Sequence, residues 1–137
     1  MAENQRMRIG GFVIMPNHVH LLFRVGENHL LKNVQRDFLK YTAQQIKFDL
    51  QQNHPQVLEH FVSSQNDRSY QIWERRPLAI PLYSREVMYQ KLLYIHNNPC
   101  QERWKLADDM LDYHFSSCGF YENGKTEFPF LMNYMDI

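Results

Sequence analysis

Two apolar, β-branched runs, residues 9–15 and 18–25, are separated by Pro16-Asn17, which predicts an antiparallel strand pair joined by a bend. Gly26 to Asn28 closes the second strand. From about Leu30 to Gln52, Leu31, Val34, Phe38, Tyr41 and Phe48 recur at helical spacing with charges between them. That pattern predicts a long amphipathic helix laid across the sheet, with its aromatics packed in the core. Asn53-His54-Pro55 stops it. Val57, Leu58, Phe61 and Val62 then suggest a short helix, followed by a polar loop from Ser63 to Ser69. Tyr70 to Trp73 reads as the start of a strand and Leu78 to Tyr83 as its continuation, with Pro77 and Pro81 holding it to a sheet edge. Ser84 is a good N-cap for a helix running through Met88, Leu92 and Ile95 to Pro99. A short helical piece near Ala107 to Leu111 and an apolar tail within 122–137 complete the chain.

The 137 residues, 44% apolar and 14% aromatic, fit one globular domain over 1–137 with a core of its own. No run approaches the roughly 18 apolar residues of a membrane span, and Met1 to Arg6 lacks the apolar stretch of a signal peptide. The expectation is a cytoplasmic protein without a membrane partner. Cys100 and Cys118 lack metal-type spacing and read most simply as reduced thiols, with a disulfide between them left open. Formal net charge is zero but unevenly spread. Arg68, Arg75, Arg76, Arg85, Lys91, Arg103 and Lys105 outnumber the acids of 68–105, whereas 106–137 is acidic. A basic middle section allows local phosphate contacts without general affinity for duplex DNA.

Candidate chemistry begins at His18-Val19-His20. Alternation along a strand puts both imidazoles on one face and Val19 on the other. Such a pair can grip one divalent metal from one side and leave coordination positions open for catalysis; the alternative is a polar pair at a sheet edge. On the 85–98 helix, at roughly 100° per residue, Met88, Leu92 and Ile95 form the buried stripe. Tyr94 lies about 120° away, with Asn98 one turn further along beneath it and Gln90 and Lys91 bordering the same face. This is either a compact polar patch or a half-buried tyrosine followed by a helix-ending Asn. Pro99 biases Asn98 away from helical dihedrals and leaves its direction open.

Taken together, Pro16-Asn17-His18-Val19-His20-Leu21-Leu22 and Tyr94-Ile95-His96-Asn97-Asn98-Pro99 resemble the single-tyrosine transposases with a His-hydrophobe-His motif. These are the IS-two-hundred-like family and its REP-associated relatives. Trp73-Glu74-Arg75 and Tyr113-His114-Phe115-Ser116-Ser117 look like further family landmarks, so the resemblance covers roughly 9–121, with 122–137 as a tail. It implies an α+β, ferredoxin-like antiparallel sheet with helices on one face, acting on single-stranded DNA beside hairpins. By the family pattern His18 and His20 would ligate Mg²⁺ or Mn²⁺, with Asn98 as third ligand. Tyr94 would be the nucleophile, leaving a 5′-phosphotyrosine link and a free 3′-OH. Arg75, Arg76, Arg85 and Lys91 are then the candidate phosphate contacts, and Trp73 either stacks on a base or packs in the core. The resemblance also implies a homodimer.

The chain departs from the family in two places. About eight residues precede the first strand, where family members carry a further strand and helix, which predicts an N-terminally truncated fold and obligate association to cover the exposed edge. The segment 100–112 also lacks the family's apolar, glycine-containing pattern. The rival expectation is a truncated copy that binds hairpins without cutting them. A metal-dependent hydrolase is a third, and needs an acid or base that no nearby carboxylate in the sequence supplies.

Overall fold

The computed structural model describes residues 6–66, 68–124 and 127–137. In chain order its elements are β1 (Met7–Met15), β2 (His18–Val25), α1 (Leu31–Asn53), α2 (Pro55–Leu58), α3 (Arg85–Asn97) and α4 (Cys118–Asn123). Single 3-10 turns lie at Glu59–Phe61, Asn98–Cys100 and Met110–Asp112. The architecture is α+β, with a two-stranded antiparallel sheet. Among the described residues no helix is long and apolar enough to cross a membrane. The chain divides into two compact units: Met1–Asn28 with Pro81–Ile137, and His29–Ile80.

In the first unit β1 and β2 form a hairpin whose two-residue turn is Pro16-Asn17, with Met15 opposite His18 and Val13 opposite His20. The core gathers Val13, Met15 and Leu22 from the hairpin, Leu92 and Ile95 from α3, and Ile137 from the tail. Each large aliphatic side chain so buried contributes roughly 1.5–3 kcal/mol. The outer edge of β1 is covered by the last third of the chain. Ile14 N donates to Phe115 O (2.9 Å), Ser117 N to Phe12 O (3.0 Å) and Met132 N to Ile9 O (3.0 Å). The tail is therefore part of the sheet's cover. Helix α4 has no counterpart in the hydropathy pattern because only Cys118 among its six residues is buried.

Glycine is required where α3 crosses β1. A Cβ at Gly11 would collide with Leu92 Cδ1 and crowd Ser117 Oγ at 3.4 Å. Leu92 is itself wedged in the core, so it has nowhere to retreat. Gly11→Ala is expected to destabilise the protein by about 1–3 kcal/mol, the usual cost of overpacking, read as a lower urea midpoint with an unchanged slope.

In the second unit α1 departs from its sequence reading in orientation. Val34 is buried and Phe38 half-buried, but Tyr41 and Phe48 are exposed. The half-buried side turns instead through Leu39, Thr42, Ala43 and Ile46. Trp73 Nε1 donates to Thr42 Oγ1 at 2.9 Å, and that hydroxyl donates to the Phe38 carbonyl at 2.8 Å. A half-buried indole N–H gains from an acceptor, and Thr42 supplies it on the side of α1 that turns inward, with Tyr41 outward. The expected strand over 70–73 and 78–83 does not form. Tyr70 makes one antiparallel bridge to Val62, and the following residues are irregular through Tyr83. Pro77 and Pro81 remove donors from that stretch, and Leu78 and Tyr83 stay 86% and 91% exposed.

Candidate functional site

The hairpin register decides where the two imidazoles go. Facing residues of an antiparallel pair share a side of the sheet, so His20 stands beside buried Val13 and His18 beside buried Met15. Val19 shares the other face with half-exposed Ile14. The imidazole centroids are 5.0 Å apart. Asn17 Oδ1 lies 2.8 Å from His18 Nδ1, an arrangement in which Nδ1–H donates and Nε2 keeps its lone pair for a ligand. Trp104 packs against the same ring at 5.3 Å, and the Arg103 guanidinium sits 5.2 Å over the indole. Burial, and secondarily the neighbouring His18, lower the His20 pKa, which favours the neutral, metal-ligating form.

Helix α3 carries the tyrosine. Its start is capped as the sequence predicts, with Val87 N donating to Ser84 Oγ at 3.2 Å, and Leu92 and Ile95 seat it in the core. Tyr94 then projects beside the hairpin, its ring 5.8 Å from that of His20, with Lys91 Nζ 6.0 Å from its centroid. Tyr94 is 51% exposed, and its hydroxyl bonds to no described residue. A solvent-open phenol beside the His20 ring is of a chemical type that can serve as a nucleophile.

Asn98 keeps helical dihedrals (φ −55°, ψ −44°) despite Pro99, because a 3-10 turn over Asn98–Cys100 continues directly from α3. It is 2% exposed, and its Oδ1 is buried without a hydrogen-bond partner. Leaving such an acceptor unsatisfied costs about 1–3 kcal/mol. An orphaned carbonyl oxygen one turn beyond Tyr94 is a donor of the type divalent cations take. Imidazole nitrogens and amide oxygens are donor types that divalent cations accept, Zn²⁺ and Ni²⁺ included. Among the described residues no group of three or more His, Cys, Asp or Glu side chains is placed to hold a metal.

Of the sequence candidates, His18, His20, Tyr94 and Lys91 cluster. Arg85 opens α3 as its first residue, far along the helix from Tyr94. Arg75, Arg76 and Trp73 belong to the His29–Ile80 unit. Trp104 had no signal in the sequence, since nothing in the 100–112 segment indicates that it returns to the His18 ring.

His96, on the same helix as Tyr94, is structural. His96 Nε2 is 2.8 Å from Ser117 Oγ, which also receives the Phe12 N–H at 2.9 Å. His96 is 3% exposed, with the Tyr121 ring at 5.7 Å, and burial pulls its pKa down to about 4. The unfolded chain, with an imidazole near 6.5, then binds more protons than the folded one. Stability is fully present above about pH 6.5 and falls, by up to roughly 3 kcal/mol, as pH drops towards 4. His20 adds in the same direction. The gap between melting temperatures at pH 7 and pH 4.5 is expected to shrink in His96→Gln; an unchanged gap would assign it elsewhere. Cys100 and Cys118 are free thiols, and burial pushes the Cys118 thiol up to about 11, which removes it as a competing nucleophile.

Comparison with protein-family models, with curated proteins and with solved structures finds no match for this chain.

Proposed function

We propose that the protein is a metal-dependent strand transferase for single-stranded DNA, cutting and rejoining beside hairpins through a tyrosine-linked 5′-phosphate on a ferredoxin-like sheet. The observation that carries this reading is the exposed Tyr94 hydroxyl beside the His18–His20 pair, with an orphaned Asn98 oxygen one turn further along the same helix. His18, His20 and Asn98 would hold Mg²⁺ or Mn²⁺. Bound there, the ion would supply Lewis-acid polarisation of the scissile phosphate and neutralise charge on the departing oxygen.

The rest falls to the chain itself. Asn17 and Trp104 hold the His18 ring in one orientation. Tyr94 Oη attacks phosphorus: the Oη–P bond forms, the P–O3′ bond breaks, the phenolic proton leaves to solvent, and the 3′-oxygen takes up a proton to become a free hydroxyl. Lys91 near the ring favours charge developing on the phenol oxygen. Phenolate is a better leaving group than a sugar alkoxide, so the link is reversible and keeps the bond for rejoining. A homodimer is part of this reading through the family resemblance; the outer edge of β2, unpaired among the described residues, also suits it.

The deciding experiment incubates the protein with Mn²⁺ and end-labelled single-stranded hairpin DNA and runs the products on a denaturing gel. Label at protein size is the expected result. Hairpin retention without any adduct under Mg²⁺ or Mn²⁺ would favour a chain that binds without cutting.

A further inference from the structure

The rings of the site are joined in a row, and the row has a cation at each end. Tyr94 lies against His20 (5.8 Å), His20 against His18 (5.0 Å) and His18 against Trp104 (5.3 Å). Lys91 Nζ stands 6.0 Å from the Tyr94 ring, and the Arg103 guanidinium 5.2 Å from the indole. His20 and His18 are two residues apart on β2, a step of about 6.6 Å along the strand. The tyrosine and the indole therefore hold opposite ends of the pair. The strand-transfer reading gives work to the Lys91 end and leaves Arg103 unused.

The Arg103 end is held in place by the way the chain folds back after α3. Gln101 N donates to Asn98 O (3.3 Å), Trp104 N to Gln101 O (2.8 Å) and Leu106 N back to Pro99 O (2.9 Å). Lys105 closes this fold-back at φ 43°, a left-handed conformation that strains a non-glycine residue and persists only where the surroundings over-determine it. The Trp104 indole is half-buried against the core. Arg103 is exposed and makes no ion pair among the described residues. The indole orients its guanidinium while the donors stay open to a ligand, and a planar fork of that kind pairs with phosphate oxygens.

We propose that Arg103, seated on Trp104, retains the cut strand that carries the free 3′-hydroxyl by gripping a phosphate on that strand's side of the break. The inference rests on the strand-transfer reading and deepens it. Displacement at phosphorus runs in line, so the 3′-oxygen departs on the side away from Tyr94 Oη. Beyond the histidines, that side is the Trp104–Arg103 end. After cutting, Tyr94 holds the 5′-phosphate strand by a covalent bond, and no such bond holds the other. Rejoining needs both: the 3′-oxygen attacks phosphorus, the P–Oη bond breaks, the phenol oxygen takes up a proton and the 3′-hydroxyl gives one to solvent. A strand kept in the site reacts as an intramolecular partner, at an effective concentration that a released strand does not reach.

The test uses the full chain, Mn²⁺ and hairpin DNA with a single-stranded 5′ flank, labelled differently at its two ends. The 3′ label reports the adduct on a denaturing gel, and the 5′ label travels with the strand bearing the new 3′-hydroxyl. On native gel filtration the 5′ label should co-elute with the parent protein. In Arg103→Gln it should dissociate at least about tenfold faster, the loss expected of one charge-assisted contact. An excess of unlabelled strand with a free 3′-hydroxyl should then replace it in the rejoined product, so rejoining of the original strand falls at least about tenfold more than cutting does. Arg103→Lys keeps the charge and should recover most of the retention. Lys32→Gln, the same charge change as Arg103→Gln but on α1, should alter neither step. Arg103 is exposed, so Arg103→Gln should melt within a degree or two of the parent. Adduct formation in Arg103→Gln with the 5′ strand retained as in the parent overturns the proposal and leaves the Tyr94 link standing. Cutting and rejoining reduced by the same factor also overturns it, because Arg103 would then serve the displacement itself. Absence of any adduct in the parent defeats the strand-transfer reading, and this inference with it.

Discussion

Tyr94→Phe is expected to abolish the protein–DNA adduct and to lower strand cleavage by on the order of 10⁴-fold, about 5.5 kcal/mol of lost transition-state stabilisation. The substitution removes one oxygen from a ring that is 51% exposed and whose hydroxyl bonds to no described residue. The fold should not register the change: melting temperature should stay within a degree or two of the parent, and hairpin affinity within about twofold. Loss of chemistry with retention of fold and binding is the signature of a nucleophile. The opposite pattern, cleavage persisting in Tyr94→Phe with no adduct in either protein, would mean that water attacks. The site would then be a hydrolase, with the tyrosine serving only to pack against His20. The denaturing gel and a product-length gel on the same samples separate the two.

His18→Ala and His20→Ala are each expected to weaken Mn²⁺ binding by at least about 100-fold and to lower cleavage correspondingly. The metal readout is free Mn²⁺ followed by its paramagnetic resonance in the absence of DNA, so it does not depend on activity. Both rings stand on the covered side of the hairpin, and His18 is further fixed by Asn17 and Trp104. Loss of either ring therefore leaves a site with too few donors, not one that rearranges. Asn17→Ala frees the His18 ring without removing a ligand and should cost about 10–100-fold in affinity. Equal Mn²⁺ affinity in the parent and in both alanine variants would leave the pair as an edge-to-face ring contact on the hairpin and remove the metal from the mechanism.

Local rules reached far into this chain. The Pro16-Asn17 turn and the period-2 placement of His18 and His20 were legible because a two-residue link between β-branched runs leaves one register and one facing arrangement. The Ser84 cap and the Leu92–Ile95 stripe were legible for the same kind of reason, each being set within a turn or two of helix. The side of α1 that turns inward was not. Helical spacing places Tyr41 and Phe48 on an apolar stripe, but the hydrogen bond from Trp73 to Thr42 acts across more than thirty residues and rotates the half-buried side away from them. The strand expected over 70–73 and 78–83 failed because β-propensity describes a residue that has a neighbouring strand, and among the described residues none lies there.

By itself, then, the sequence determined the hairpin, the facing of its two histidines and the start of the tyrosine helix. All of these follow from dihedral preference and periodicity over a few residues. Tertiary structure alone decided that Trp104 returns to His18, that Ser117 ties β1 to His96, and that Asn98 continues the helical path with a buried, unpartnered oxygen. Each of those is a meeting of residues distant in the chain or a matter of burial. Packing selects which distant groups meet and which polar atoms lose water, and no local pattern encodes that choice.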